Sequence, residues 1–408
     1  MKKILLSVGL ICYSFSFFAQ DTIKNSEKSK YSFTKVVHLD ATPVQNQGYA
    51  GTCWSFSGLS FFESELIRMG YKPSNVPVLS EMYVVRKAYE EKADKYIRMD
   101  GKANFGQGGG FVDIPYVINK YGIVPEEAYK GLNYGKEKHD HNELFAVLDG
   151  AVQGMLKHTK EMLEQQESVG ITKTWKSAIA GILDAYFGKT PEKFTYNGKE
   201  YTPKSYAKEL GFNMDNYVSI TSYMNEPLYK PTQLAIPDNW LWESSYNVSL
   251  DDLFSIAEHA LNNGYTIAWG SDVSEKGFSF RDGLAIVPED EESIAVKGRD
   301  NKNFSDAGAD KNSNAFLTPM KEKKITPEMR QDAYDMKLTT DDHGMHIVGL
   351  YKDQNGGKYF LVKNSWGTDR NFPKGYFYAS EAFFKFKTMN YYLHKDALPK
   401  DIRKKLNL

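Results

Sequence analysis

The sequence has 408 residues, of which 41% are hydrophobic and 14% aromatic, with 51 basic and 52 acidic side chains. This length and composition allow a large core and suggest two or three domain-sized units, which excludes a fibre, a disordered tail and a disulfide-stapled mini-protein. The two cysteines, Cys12 and Cys53, permit at most one disulfide. The net charge of −1 lacks the basic excess that phosphate binding needs, so nucleic acid is not an expected partner.

A secretory signal is predicted at residues 1–20. Two lysines precede an apolar stretch over residues 4–18, and a polar segment follows. This is the order of a signal peptide, and the apolar stretch is too short to span a bilayer. We therefore expect an exported protein, periplasmic or extracellular, with an uncleaved anchor as the alternative. Cleavage near Asp21 would remove Cys12 and leave Cys53 as the only cysteine. No later window reaches the roughly 18 apolar residues of a membrane helix, so stable membrane insertion is not expected.

Cys53 is predicted to begin a helix. From Trp54 the apolar residues recur at spacings of three and four as far as Met69, and Gly70 suits a left-handed helix end. Unpaired N–H groups and the positive dipole end at a helix N-terminus favour a thiolate, the nucleophilic form of cysteine. Gln47, six residues earlier, carries an amide donor that could reach an oxyanion beside the sulfur. The alternative is a buried and unreactive cysteine, because free cysteines are often buried.

A predicted β-hairpin carries the partners that a cysteine nucleophile needs. Two β-rich apolar runs flank Asn355-Gly356, which is a strong hairpin signal. Side chains alternate along a strand, so His343 and His346 face opposite sides and only one of them can meet the cysteine. His343 stands at the mouth of its strand. Asn364 ends the neighbouring strand, where its side-chain oxygen could accept a hydrogen bond from the imidazole.

The remaining histidines do not predict a metal site. His139 and His141 are two residues apart, so on a strand they could coordinate a metal ion from the same face. No third ligand is evident, and the neighbouring charged residues indicate a solvated loop. Four histidines are isolated in surface-like or helix-like contexts, which favours structural roles: His38, His158, His259 and His394. We expect neither a metal nor a cofactor.

These segments together resemble the papain superfamily of cysteine peptidases. Three motifs carry the resemblance: Gln47-Gly48 with Gly51-Thr52-Cys53-Trp54-Ser55-Phe56-Ser57, His343-Gly344-Met345 with Gly349, and Asn364-Ser365-Trp366-Gly367. The resemblance implies that Cys53 is the nucleophile, that His343 is the general acid and base, and that Asn364 orients the histidine. It also implies that Gln47 stabilises the oxyanion and that Trp366 contacts the substrate.

Two further features refine the resemblance. Ala50 stands where many papain-like enzymes have a second cysteine, so that disulfide is not expected. The run Gln107-Gly108-Gly109-Gly110 resembles the glycine wall that binds the substrate backbone, although a glycine run alone is usually a turn. The implied fold is α+β with two lobes, a helical lobe that carries the cysteine and a β-barrel-like lobe that carries the histidine and asparagine. The substrate cleft would lie between the lobes.

Large insertions are predicted between the two halves of the site. Papain-like enzymes place the histidine about 130–150 residues after the cysteine, whereas 290 residues separate Cys53 from His343. Much of the excess lies at about 134–247 and is predicted to be partly helical from two apolar series. These are Leu144, Leu148, Val152, Met155 and Leu156, then Trp175, Ile179, Ile182, Leu183 and Tyr186. A polar stretch at about 290–325 is predicted to be a surface loop within a peptidase domain spanning 21–408.

Long insertions resemble the bleomycin hydrolase and aminopeptidase C branch of the superfamily. Other stretches similar to that branch follow in the same order, at 201–206, 214–219, 264–273 and 394–399. The branch implies an aminopeptidase that acts on peptides, and it leaves a homo-hexamer open. Its C-terminal arm, which engages the free amine of the substrate, extends beyond the segment matching 398–406, whereas this sequence stops at Leu408. The first alternative is therefore an exported endopeptidase with an open cleft. The second is a non-catalytic peptide-binding module on the same fold, because motifs alone do not prove activity.

Overall fold

The computed structural model describes residues 23–165, 171–298 and 310–408. The predicted signal at 1–20 and Cys12 lie outside these residues, as does part of the polar stretch at 290–325. Within the described part of the chain, no helix is both long and apolar enough to cross a membrane.

Helices predominate in the first half of the described chain and strands in the second. The helices are α1 (Cys53–Arg68), α2 (Glu81–Arg98), α3 (Asp113–Tyr121), α4 (Asn142–Glu164), α5 (Thr174–Phe187), α6 (Pro203–Leu210), α7 (Leu250–Asn262), α8 (Pro327–Asp335), α9 (Glu381–Lys387) and α10 (Lys400–Leu406). The strands are β1 (Thr34–His38), β2 (Phe194–Tyr196), β3 (Lys199–Tyr201), β4 (Tyr217–Thr221), β5 (Lys230–Gln233), β6 (Ser244–Asn247), β7 (Ile267–Ser271), β8 (Phe278–Ser279), β9 (Leu284–Ala285), β10 (Ala295–Lys297), β11 (Asp310–Asn312), β12 (His343–Lys352), β13 (Lys358–Lys363), β14 (Tyr376–Ser380) and β15 (Thr388–His394).

Helix α1 lies in the interior of the protein. All of its residues from Cys53 to Leu66 are buried, the pattern of a helix surrounded by other elements rather than one that lies at the surface. The helix predicted after Cys53 is thus confirmed. The chain leaves it through Gly70, whose φ of +113° strongly favours a residue without a Cβ.

A helical lobe forms around α1. Its apolar cluster takes residues from α1 to α6. Helices α4 and α5 confirm the helical prediction within 134–247, and they turn their apolar series inward: Leu144, Leu148, Val152, Leu156, Ile179 and Leu183. Within 290–325, the described residues form the antiparallel pair of β10 and β11 and bury Ile294 and Phe316.

The second lobe is built on one mixed sheet. Its strand order is β5-β6-β4-β15-β7-β12-β13-β14-β9-β8, with β1 paired beside β12. The β4–β6 and β9–β14 pairs are parallel, and the other pairs are antiparallel. Helices α7, α9 and α10 contribute to the apolar cluster of this lobe. A helical lobe beside a sheet lobe confirms the predicted α+β class, and the sheet path has two ends, at β5 and β8.

The hairpin of β12 and β13 sets His343 near Asn364. His346 pairs with Lys363 across the two strands. The first residue of β12 and the residue after β13 therefore reach the same end of the hairpin. The predicted hairpin is confirmed.

The two lobes meet where the N-terminal end of α1 crosses the start of β12. A Cβ on Gly344 would lie 3.0 Å from Ser57 Oγ, 3.1 Å from the Cα of Trp54 and 3.3 Å from the ring of Phe111. These separations are shorter than ordinary van der Waals contact. Glycine therefore lets the strand and the helix approach each other this closely.

Replacing Gly344 by alanine should lower the free energy of unfolding by about 1–3 kcal/mol, because the added methyl group overpacks the contact between helix and strand. Gly150→Ala is the matched control, since nothing lies within 4 Å of a Cβ at that position of α4. There alanine should stabilise the helix by about 0.5–1 kcal/mol. Urea unfolding followed by circular dichroism measures both variants. Equal effects of the two substitutions would contradict the tight crossing.

Candidate active site

Cys53 is the first residue of α1, and its side chain lines a cavity between the lobes. The preceding residue, Thr52, makes no capping bond with its side chain. The sulfur accepts a hydrogen bond from the backbone N–H of Gly344 at 3.4 Å. The nucleophile candidate of one lobe is therefore bonded directly to the strand that carries the candidate histidine.

His343 lines the same cavity and is held in one orientation by Asn364. Its Nε2 donates to Oδ1 of Asn364 at 2.8 Å, and the N–H of Ser365 donates to the same oxygen at 2.8 Å. Two donors on one oxygen fix which end of the amide faces the imidazole. Nδ1 is then the ring nitrogen that remains for proton exchange in the cavity.

Trp366 covers the histidine and is not one of the residues that line the cavity. Its ring centroid lies 4.7 Å from that of His343, and Phe280 packs edge-on against it at 5.0 Å. The indole is only 7% exposed. It excludes water from the imidazole, which strengthens the hydrogen bond to Asn364. A contact between Trp366 and the substrate stays a prediction.

Gln47 lies in the loop before α1, where it is buried, and it is not one of the residues that line the cavity. Its Nε2 donates to the carbonyl of Ala50 at 2.8 Å, and its Oε1 accepts from Oγ of Ser365 at 2.6 Å. An amide nitrogen has two hydrogens, so one remains to serve as a donor. Gly48 allows this loop, because its φ is +63° and a Cβ there would collide with the carbonyl of His139.

The glycine run forms one wall of the cavity. Gly109 and Gly110 line it together with Cys53, whereas Gly108 lies behind them. A Cβ on Gly109 would lie 2.8 Å from the indole of Trp54. The wall therefore needs glycine for packing, whatever it binds.

Two polar side chains hold this wall in place. The side-chain Oε1 of Gln107 accepts a hydrogen bond from the N–H of Gly51 at 2.8 Å. The backbone carbonyl of Gln107 accepts one from the indole N–H of Trp54 at 3.1 Å. Lys92, only 1% exposed, donates to the carbonyls of Gly106 and Gly108 from behind. These bonds join the glycine wall to the loop and helix that carry Cys53.

Burial opposes a negative charge on Cys53. Loss of hydration raises the pKa of the thiol to about 12, although the hydrogen bond from Gly344 lowers it. Asp238, Asp342 and Asp341 raise it further through their negative charge. The thiolate predicted from the helix N-terminus is thus opposed by desolvation in the substrate-free cavity.

Burial likewise opposes a positive charge on His343. It lowers the pKa of the imidazole to about 4, although the hydrogen bond to Asn364 raises it. Between this value and that of the thiol, both side chains are uncharged. At neutral pH His343 is therefore unprotonated, which is the form of the imidazole that can act as a general base when the sulfur attacks a substrate.

The sequence alone did not reveal the acidic part of the cavity. Asp238, Asp341 and Asp342 line it. Asp238 lies in the stretch predicted as an insertion, and no motif marks it. The sequence did contain one indication of this acidic region, the pair Asp341-Asp342 immediately before His343. Residues next to His343 in the sequence must lie near its imidazole.

The other histidines have structural surroundings. Nδ1 of His346 lies 2.9 Å from Oγ of Ser60, on the strand face opposite His343 as alternation predicts. His141 is fully buried, with Nδ1 3.3 Å from the hydroxyl of Tyr89. In the described ranges, no group of three or more His, Cys, Asp or Glu is arranged to hold a metal ion.

Comparison with known proteins places this geometry in a family. The Peptidase C1-like family matches residues 15–288 and 322–408. Aminopeptidase C of Listeria monocytogenes is 22% identical over 404 residues, covering 89% of this chain and 82% of that protein. Aminopeptidase C of Lactobacillus delbrueckii is 24% identical over 413 residues, covering 90% and 83%. Bleomycin hydrolase of Rattus norvegicus is 21% identical over 425 residues, covering 92% and 85%. The crystal structure of PepW from Lactobacillus rhamnosis superposes with a TM-score of 0.69 at 20% identity, covering 92% of this chain and 84% of that one.

The fold and the family together define a papain-like cysteine peptidase. The chain belongs to the Peptidase C1-like family. Its relatives are named as aminopeptidases and a bleomycin hydrolase. They give no support to an exported endopeptidase or to a non-catalytic module.

The proton balance of the pair predicts how its reactivity depends on pH. Alkylation of Cys53 by iodoacetamide should slow as the pH falls through about 4, because His343 then takes up a proton and can no longer accept one from the thiol. Asn364→Ala should move this midpoint to lower pH, since the lost hydrogen bond raised the pKa of His343. Rates are measured where circular dichroism shows folded protein.

Asn390→Ala provides the control for this measurement. Asn390 lines the same cavity, but its amide donates to Ser219 at 3.1 Å. The midpoint should stay in place in this variant. A wild-type midpoint near the ordinary histidine value of about 6.5 would contradict the effect of burial.

Proposed function

We propose that this chain is an aminopeptidase that hydrolyses peptides through an acyl-enzyme on Cys53. The observation that carries the proposal is the cavity shared by Cys53 and His343, with Asn364 holding the far nitrogen of the imidazole. The names of the relatives favour an aminopeptidase over other peptidases.

The first half of the reaction forms a thioester. The sulfur of Cys53 attacks the carbonyl carbon of the first peptide bond while its proton passes to Nδ1 of His343. Negative charge develops on the carbonyl oxygen, where the remaining hydrogen of Gln47 Nε2 and the backbone N–H of Cys53 stabilise it. The tetrahedral intermediate then collapses. The leaving amine takes the proton from His343, and the acyl group stays on sulfur.

The second half releases the amino acid. Water gives a proton to Nδ1 of His343 and attacks the thioester carbonyl, again with the oxyanion facing Gln47. The carbon–sulfur bond breaks, and the proton returns to Cys53. Asn364 keeps the ring in one orientation through both halves, so that Nδ1 serves both transfers.

Cys53→Ala should reduce hydrolysis of a fluorogenic aminoacyl amide by roughly 10⁴-fold or more, because the attacking sulfur is lost. Circular dichroism should be unchanged. Two histidines on one strand provide a matched pair. His343→Gln should be comparably inactive, whereas His346→Gln, which alters the contact with Ser60, should keep the kcat/KM of its folded fraction. Retained activity in Cys53→Ala would end the proposal. An equal loss of activity in the two histidine variants would show that the loss comes from impaired folding and not from the chemistry of His343.

We also propose that the protein is exported by cleavage of residues 1–20, on the strength of the charged, apolar and polar order of that segment. Expression of the full sequence with a C-terminal tag should give a mature chain that begins near Asp21 and is found outside the cytoplasm. N-terminal sequencing of the fractionated protein measures this. An intact N-terminus on cytoplasmic protein would contradict it. Assembly into a homo-hexamer and the absence of nucleic-acid binding stay predictions.

A further inference from the structure

The cavity beside Cys53 has an acidic wall that the reaction described above does not use. Asp238, Asp341 and Asp342 line it, with the exposed Glu243 also contributing. None of the described lining residues is Lys or Arg. The wall therefore presents negative charge to the space in which the substrate must lie when the sulfur attacks it.

The aspartates differ in how much of their hydrogen-bonding capacity is already used. Oδ2 of Asp342 accepts from the N–H groups of Val273 and Ser274 at 3.0 and 2.9 Å, so this residue anchors the loop after β7. Its Oδ1 is buried without a partner among the described residues. Oδ2 of Asp341 accepts from the backbone N–H of Asp238 at 3.3 Å. Asp341 thus holds Asp238 in position.

Asp238 is fixed through only one of its two carboxylate oxygens. Oδ1 accepts from Nδ2 of Asn104 at 3.1 Å. Oδ2 packs against Gly108, where any side chain would collide with it, and the described residues give it no hydrogen-bond donor. Burial raises the pKa of Asp238, whereas the positive charge of Lys92 and the hydrogen bond from Asn104 lower it. Lys92 donates its own hydrogen bonds to backbone carbonyls. A half-buried carboxylate whose second oxygen receives no hydrogen bond from the described residues favours the approach of a cation from the cavity.

An organic ammonium group fits this wall better than a metal ion does. Ca²⁺ and Mg²⁺ need several converging oxygen ligands, and the described residues contain no such group of three. The α-ammonium nitrogen of a peptide is two bonds from the carbonyl carbon of the same residue, which is about 2.5 Å in space. When that carbon lies at the sulfur of Cys53, the ammonium group must lie in the same cavity as Asp238.

We propose that Asp238 binds the free α-ammonium group of the N-terminal residue of the substrate, and that Asp341 positions Asp238 for this contact. The proposal rests on the proposed aminopeptidase function and identifies the group that selects a free N-terminus. The contact is a charge-assisted hydrogen bond to Oδ2, with no covalent step. An N-acylated peptide lacks the charge and leaves the carboxylate unsatisfied, so the site rejects it.

The test compares leucine 7-amido-4-methylcoumarin with its N-acetylated form. Asp238→Asn should lower kcat/KM for the free amine by roughly 10- to 100-fold, the usual value of a hydrogen bond to a charged group. The acetylated substrate should be cleaved no more slowly than by the wild type, so the preference for the free amine collapses. Glu243→Gln is the matched control, because it neutralises an exposed carboxylate of the same cavity and should keep the wild-type preference. Labelling of Cys53 by a neutral epoxide confirms a folded site.

The possible outcomes separate this assignment from the proposed function. A wild-type protein that cleaves both substrates equally would overturn the aminopeptidase proposal itself. A wild-type preference that Asp238→Asn retains would overturn only the role of Asp238, as would an equally large effect of Glu243→Gln. A loss confined to the lysine analogue of the substrate would assign Asp238 to the side chain instead and would also overturn it.

A second variant covers the case in which Asp238→Asn fails to label with the epoxide. Asn104→Ala releases Oδ1 of Asp238 without removing the charge. The preference for the free amine should fall in the same direction, by a smaller factor. An unchanged preference in this variant would overturn the assignment.

Discussion

The close approach of α1 to the start of β12 is the constraint on which the site depends. It brings together two side chains that lie in different lobes and are far apart in the sequence. At this crossing the sulfur of Cys53 accepts the N–H of Gly344, the residue next to His343. A displacement of about 1 Å between catalytic groups can cost roughly 10²-fold in rate. The absence of a side chain at Gly344 is therefore a requirement of the chemistry as much as of the packing.

A buried polar network fixes the same two elements behind the site. Lys363, which precedes Asn364 on β13, donates to Ser60 of α1 at 2.7 Å and to Thr42 at 3.1 Å. Thr42 in turn donates to Glu63 of α1 at 2.5 Å. Apolar contacts alone would tolerate a small slip of the helix along the hairpin. Buried polar groups that must meet in one arrangement do not tolerate it, because a slip leaves charges without partners.

The parts of the structure that could be predicted from sequence are those determined by local patterns. The helix after Cys53 follows from apolar spacing, and the hairpin that presents His343 and Asn364 follows from strand alternation and a turn signal. Trp366 shows the limit of such reasoning, because its motif gives its identity but not its packing over the imidazole. Asp238 could not be predicted, since its distance from Cys53 is set by long-range packing of the lobes. The raised pKa of Cys53 could not be predicted for the same reason. The helix dipole that favours a thiolate follows from the local sequence, whereas the burial that opposes it depends on how the lobes pack.

The acidic wall disfavours the thiolate form of Cys53 as long as no substrate is bound. Desolvation raises the pKa of Cys53, and the charges of Asp238, Asp342 and Asp341 act in the same direction. An ammonium group bound at Asp238 adds one positive charge to this wall, which stabilises the thiolate beside it. That charge belongs to the residue whose carbonyl the sulfur attacks, so it is present only when a peptide with a free N-terminus is bound. Selection for such peptides would then affect kcat as well as KM, because the contact that binds the substrate also favours the attacking form of the sulfur.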